Sequence, residues 1–289
     1  MCLARRSCAP SGPDVDLGVV IPVWQGADLL PRSLQGLLDQ RSLPVRVSVA
    51  VVVNDADSAA HAAARAVAED HAARMAARGY AYRVLSCPPG RRTALAVGDA
   101  ALPEGARLFL DQDARLSSHA LARLAPLVCG TTQARFVTFA LQVTPAPSAA
   151  VRLVLQTLLA LPYVATAPVT AGCYGVSAAG HRLWDWDRMP AGVGDDKYVR
   201  CLFAPAARHR IATESYEVVA PGSYRSLVAA RIRYARMNRA LRAVPGLFPD
   251  DRRGRGVPRH LLWPGHWPGV ALTAATLALA ALSSRTRPG

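Results

Sequence analysis

Lysine is all but missing from this chain: Lys197 is the only one among 34 basic residues, and the rest are arginine. With abundant alanine, that bias follows a GC-rich genome rather than a function. The arginines are scattered and form no RNA-binding signature, so the net charge of +14 is not evidence for a nucleic-acid partner. A basic face toward anionic lipid or a diphosphate accounts for it as well. Cysteine is also sparse: Cys2, Cys8, Cys87, Cys129, Cys173 and Cys201 form no C-x-x-C pair. Their wide spacing excludes a zinc finger or a small disulfide scaffold and fits reduced thiols in a cytoplasmic domain. The first fourteen residues carry a basic patch but no apolar core, so no signal peptide is expected. No repeat of fixed period occurs. Charged residues make up only 19% and apolar residues 51%, which excludes a disordered chain. At 289 residues, one large core with tails is the expected organisation.

Strand and helix patterns alternate through the first half. Leu17–Val23 and the valine-rich Val45–Val53 read as buried strands. Between them, leucines at 29, 30, 34, 37 and 38 mark a helix over Ala27–Gln40. Ser58–Arg78 is an Ala-rich helix stopped by Gly79. Tyr80–Leu85 is a strand, Arg92–Ala101 a helix and Arg107–Leu110 a fourth strand. This order predicts an α/β fold with a mostly parallel sheet flanked by helices. Ligands of such sheets sit beyond the carboxyl ends of the strands. The second half is less regular, with strands at Arg135–Val143 and Gly172–Ser177. Helices are expected at Ala149–Leu161, Asp195–Phe203 and the basic Ser226–Arg242. The domains read as a tail (1–14), a main domain (15–244), a Pro/Gly/Arg linker (245–268) and an apolar helix (269–284). Gly269–Leu282 is short of the roughly 20 residues of a perpendicular membrane helix. It reads either as a packing helix or as a membrane-attached one, with Trp263 and Trp267 as interface anchors.

Acids cluster at the strand ends. Asn54-Asp55-Ala56-Asp57 follows the second strand, and Asp111-Gln112-Asp113 follows the fourth. Carboxylates so placed suit a hard divalent cation, which in turn holds a diphosphate. Asp195-Asp196 follows a Gly-rich loop and opens a helix. It caps that helix, supplies a general base, or does both. Arg231-Ile232-Arg233-Tyr234 lies on the basic helix, either as a solvated face or as a guanidinium clamp on a departing diphosphate.

Taken in order, these elements resemble the family 2 glycosyltransferases with a GT-A (Rossmann-like) fold. Val19-Val20-Ile21-Pro22-Val23 resembles that family's first strand, and Val51–Asp55 is similar to its second, although D-G-S-x-D is absent. Arg91-Arg92 through Gly98 resembles its basic, Ala/Gly-rich stretch, and Leu108–Asp113 its D-x-D element. Gly194-Asp195-Asp196 resembles its acceptor motif and Arg231–Tyr234 its R-x-R-W, with Tyr234 replacing Trp. The resemblance implies a metal-dependent, inverting transfer of a sugar from a nucleoside-diphosphate donor to a hydroxyl acceptor, saccharide or lipid-linked. Asn54 and Asp55 would hold the base, with Pro22 and Arg92 also on the donor side. Asp111 and Asp113 would hold Mg²⁺ or Mn²⁺ and the donor, and Arg231 and Arg233 the diphosphate. Asp196 would be the catalytic base, with Asp195 and Tyr234 toward the acceptor. The expected location is cytoplasmic, on the inner face of the cell membrane if the C-terminal segment attaches there.

Two other readings compete. A nucleotidyltransferase would carry a Gly-rich phosphate loop directly after the first strand, where this chain has Trp24-Gln25-Gly26-Ala27. A non-enzymatic membrane-surface protein would have no need of Asp111, Asp113 and Asp196 together.

Overall fold

Strands form where apolar residues run unbroken, because both faces of the sheet are covered. In β1 (Asp16–Val23), Val19, Ile21 and Val23 enter one core, while Val20 enters the other. β2 (Arg46–Asn54) repeats this pattern, with Val49, Val51 and Val53 on one side and Ala50 on the other. Period-2 alternation with both faces apolar is what a central parallel strand needs. The computed structural model describes residues 16–24, 27–54, 58–250 and 263–284. Asp55 lies outside the described residues, as do the 1–14 tail and the middle half of the 245–268 segment, residues 251–262.

Around these strands the chain continues through α1 (Leu30–Leu38), α2 (Ala59–Asp70), α3 (Ala72–Ala77), β3 (Ala81–Cys87), α4 (Arg91–Ala100) and β4 (Ala106–Leu110). The alanine-rich stretch expected as one helix is two, α2 and α3, separated at His71. The second half contributes β5 (Arg115–Leu116), α5 (Ala120–Val128), β6 (Phe136–Val143), α6 (Ala149–Ala160) and α7 (Pro162–Thr166). It goes on through β7 (Cys173–Val176), α8 (Ala178–His181), α9 (Asp195–Cys201), β8 (Arg208–Val218), α10 (Tyr224–Arg242) and α11 (Trp267–Ser283). Of these, β5, α5, α7, α8 and β8 lie outside the elements expected from the sequence. β8 reads as polar, RHRIATESYEV, and only Tyr216 of its apolar side chains is fully buried.

The sheet has the order β3-β2-β1-β4-β7-β6-β8-β5. β1 to β4 are mutually parallel, and β6 and β8 pair parallel, while β7 runs antiparallel to both β4 and β6. This is the expected α/β architecture, with the C-terminal apolar helix present as α11. Gly98 lets α4 press onto the sheet, since a Cβ there would lie 2.6 Å from Val20 Cγ1 and 2.8 Å from Val52 Cγ2. A third core, around Val151, Val154, Leu158 and Leu227, joins α6 to α10 and takes Leu272 of α11.

Part of the segment expected as a linker packs back onto the domain. The Phe248 N–H donates to Cys201 O (2.8 Å), and Asp250 pairs with Lys197 (2.8 Å) and with the buried Arg200. Buried Arg200 needs that partner, since an unpaired interior charge is costly.

Candidate functional site

β1 leads to β2 and β3 on one side and neighbours β4 on the other. The chain therefore diverges at the carboxyl ends of β1 and β4 and opens the crevice in which α/β sheets bind ligands. Trp24 and Asp111 stand at its two lips. The Gln112 side chain fastens them together: it accepts from Trp24 N–H (2.7 Å) and donates to Trp24 O (3.0 Å). The Asp111 N–H donates to Gly172 O (2.7 Å), so the loop before β7 fixes the turn after β4. Gly172 has φ +86°, and a Cβ on it would fall 2.2 Å from Asp111 Oδ2. Only glycine leaves room for that carboxylate.

Arg91, the first residue of α4, gathers the acids. Its Nη2 donates to Asp111 Oδ1 (2.6 Å) and Asp195 Oδ2 (3.2 Å), and its Nε donates to Asp195 Oδ1 (2.7 Å). The end of β4 and the start of α9 are thus held by one guanidinium, whose planar fork suits two carboxylates. Burial opposes the Arg91 charge, but Asp111 and Asp195 more than offset this and hold its pKa well above the usual value. Asp195 is buried and grips Arg91; no side-chain cap closes the start of α9.

Asp196 is placed differently. Its Oδ2 accepts from Thr170 Oγ1 (2.7 Å) and its Oδ1 from the Lys197 N–H (2.7 Å), and among the described residues no cation bonds directly to it. Burial, then the charge of Asp195, pushes its pKa up. Enclosure likewise pushes Asp111 up to about 6, against the pull of Arg91, with Asp195 adding to the rise. Asp113 is raised by burial, against bonds from its own backbone N–H and that of Val219. Four carboxylates share the Arg91 guanidinium, with Arg32 acting more weakly and only on Asp113, and this excess of negative charge favours a cation.

Mg²⁺ and Mn²⁺ prefer hard oxygen ligands. Asp111 and Asp113 offer only hard oxygen, which suits these ions. Among the described residues no three His, Cys, Asp or Glu side chains converge as a complete cage. A magnesium-type ion needs no such cage, because one or two carboxylates with substrate phosphates and water complete its shell. The residues fit.

The remaining expected residues are less uniformly placed. Asn54 ends β2 buried, and among the described residues its Oδ1 has no hydrogen-bond partner, which makes it a candidate acceptor for a ligand N–H. Pro22 is buried in β1, paired in register with Val52. Arg92 turns away from the acids: it donates to Met189 O (2.6 Å) and secures the loop before α9. Arg91, one residue earlier, takes the central position. Arg231 and Arg233 both lie over the Tyr234 ring, 5.8 and 5.4 Å from its centroid. One turn farther on, α10 meets the start of α9, with Asn238 Oδ1 accepting from Lys197 Nζ (2.8 Å). A Cβ on Gly194 would lie 2.5 Å from Met237 Cε. Three contributors were not legible in the sequence: Thr170, Gly172 and Tyr174. The buried Tyr174 hydroxyl, without a hydrogen-bond partner among the described residues, feels the charges of Asp195, Arg91, Asp196 and Asp111. A glycine before a short strand was the only available signal.

No family model matches the sequence, and no curated protein matches it either. Solved structures do. The mannosyltransferase PcManGT from Pyrobaculum calidifontis, in complex with GDP-Man and Mn²⁺, gives a TM-score of 0.55 at 17% identity, covering 93% of this chain and 74% of that one. S. aureus TarS 1-349 in complex with UDP-GlcNAc gives 0.51 at 11% identity, covering 93% and 91%. At these identities the likeness is one of fold: a sheet and helix arrangement similar to GT-A glycosyltransferases.

Proposed function

We propose that this chain is a nucleotide-sugar glycosyltransferase of the inverting, family 2 type, dependent on Mg²⁺ or Mn²⁺. The observation that carries the reading is the Arg91 bridge, which joins Asp111 at the end of β4 to Asp195, directly beside the cation-free carboxylate of Asp196. Asp111 and Asp113 would hold the metal, which when bound supplies positive charge against the leaving diphosphate. Asn54 and Asp55 would take the nucleotide base, with Pro22 shaping that wall, and Arg231 and Arg233 would steady the diphosphate. Asp196 would take the proton from the acceptor hydroxyl as its oxygen attacks the anomeric carbon opposite the leaving group. Its raised pKa makes it a better proton acceptor than an ordinary surface carboxylate. Asp195 would act through Arg91 to place the acceptor side, and Tyr234 would line it. Arg92 would serve by holding the Met189 loop. The acceptor would be a saccharide or a lipid-linked hydroxyl, and the domain would face the cytoplasm.

The test is a panel of nucleotide sugars scored for Mn²⁺-dependent thermal stabilisation. A donor at about a hundred times its Kd should add about 2.7 kcal/mol. Asp113→Ala should erase the Mn²⁺-dependent part while leaving the protein folded. Turnover should release nucleoside diphosphate; release of pyrophosphate instead would identify a nucleotidyltransferase and sink the proposal.

A further inference from the structure

α11 is held to the domain along a single edge. Gly269, Thr273, Thr276 and Ala280 are its buried residues, spaced four, three and four apart on one face. Gly269 lets the backbone close in, for a Cβ there would lie 2.9 Å from Thr157 Oγ1 and 3.2 Å from Leu153 O of α6. Tyr224 of α10 bonds Thr276 through its hydroxyl (2.8 Å), and Arg239 donates to Ser284 O (2.6 Å). The rest of its surface is apolar and open: Trp267 is 61% exposed, Leu279 47% and Leu282 62%, with Trp263 at 73% just before the helix. α11 contains no charged residue. The stretch Pro264–Ser283 is long and apolar enough to cross a membrane, yet only 22% of it is buried.

Beside this face runs a basic one. α10 carries six arginines and no acid. Arg225 and Arg236 are exposed and lie eleven residues apart, so they share one side of the helix, flanking the Tyr224 and Arg239 contacts with α11. An uncharged face with indole rings, edged by arginines, has the composition of an interfacial surface against anionic lipid. Because α6 and α10 hold one side of α11, lipid cannot surround it, and the helix would lie in the membrane plane.

We propose that α11 and the Arg225–Arg236 side of α10 form a docking surface for an anionic lipid bilayer. A second face of α10, through Met237 and Asn238, meets Gly194 and Lys197 beside Asp196. The acid cluster therefore lies about one helix diameter, on the order of 10 Å, from the docked surface. Such a distance suits an acceptor hydroxyl carried on a lipid. The docking surface stands by itself; only the step to a lipid-borne acceptor rests on the transferase reading.

The experiment measures co-sedimentation of the purified full chain with phosphatidylcholine vesicles, with and without phosphatidylglycerol, in the absence of any donor. Failure of docking and failure of the transferase reading are thereby separate results. The chain should bind the anionic vesicles, weaken with added salt and be released by an alkaline carbonate wash. Arg225→Gln with Arg236→Gln should weaken partition by about thirtyfold, at about fivefold per arginine. Leu279→Ser with Leu282→Ser should abolish binding without lowering Tm, because both side chains point outward. No binding to anionic vesicles overturns the proposal. Resistance to the carbonate wash does so as well, since it would mean that α11 spans the bilayer. A dimer that Leu282→Ser dissociates would also overturn it, by making a second copy of this chain the occupant.

Discussion

Asp196→Asn separates chemistry from architecture more cleanly than any other change at the site. The carboxylate accepts two hydrogen bonds, from Thr170 Oγ1 and from the Lys197 N–H. The amide oxygen keeps the Lys197 bond and the amide NH2 can donate to Thr170 Oγ1, so at most one bond is weakened, at about 0.5–1.5 kcal/mol. Against this, a buried charge beside Asp195 disappears; after burial itself, the charge of Asp195 is what raises the Asp196 pKa. The two effects nearly cancel, so stability should move by no more than about 1 kcal/mol, or about 2–4 °C in Tm for a chain approaching this size. The Arg91 bridge does not touch Asp196, so donor and Mn²⁺ should still stabilise the variant as they do the parent. Transfer should fall by about 10² to 10⁴, the usual contribution of a positioned general base. Donor binding by thermal shift and turnover by nucleoside diphosphate release are measured on the same preparation. A folded, donor-binding Asp196→Asn protein that keeps its rate within about tenfold of the parent would refute the assignment of Asp196 as base.

Three further outcomes follow from the same geometry. Asp111 titrates near pH 6 before a cation arrives, because enclosure disfavours its charge. The sign is that of a ligand lost to protonation: Mn²⁺ affinity by calorimetry should fall toward about tenfold per unit as pH drops below 6, and a flat profile from neutral to acid would contradict it. Gly172→Ala meets a φ of +86° and the Asp111 carboxylate at once, whereas Gly130→Ala, at φ +66°, meets nothing within 4 Å. The second should cost about 1–2 kcal/mol of backbone strain; the first should cost more and also abolish Mn²⁺ binding, so equal losses in urea melts would count against the cradle. Far from the site, buried Asp99 accepts from Arg107 Nε (2.7 Å) and Trp186 Nε1 (2.8 Å) and pairs with His181. Asp99→Ala strands the buried Arg107 charge at about 3–5 kcal/mol and should lower Tm by on the order of 10 °C; a change of about 2 °C or less would mean that water reaches the network.

The sequence alone determined the first half of the fold, because local signals and tertiary environment agree there. Unbroken valine runs become strands buried on both faces, and leucines at helical spacing become α1. Acids stand where a parallel sheet places its strand ends, so Asp111 and Asp113 were legible as candidate site residues before any contact was known. Tertiary structure alone decided which charged groups meet. Arg91 and Arg92 are neighbours with the same chemistry, yet helix phase sends one to Asp111 and Asp195 and the other to Met189 O. Thr170 reaches Asp196 across 26 residues, and Gly172 shelters Asp111 from across the antiparallel β4–β7 pairing. β8 was invisible because its side chains are mostly polar and its place is set by backbone pairing with β6 and β5. Periodicity reports which face of an element is apolar; it carries no information about which distant backbone or carboxylate that face will meet.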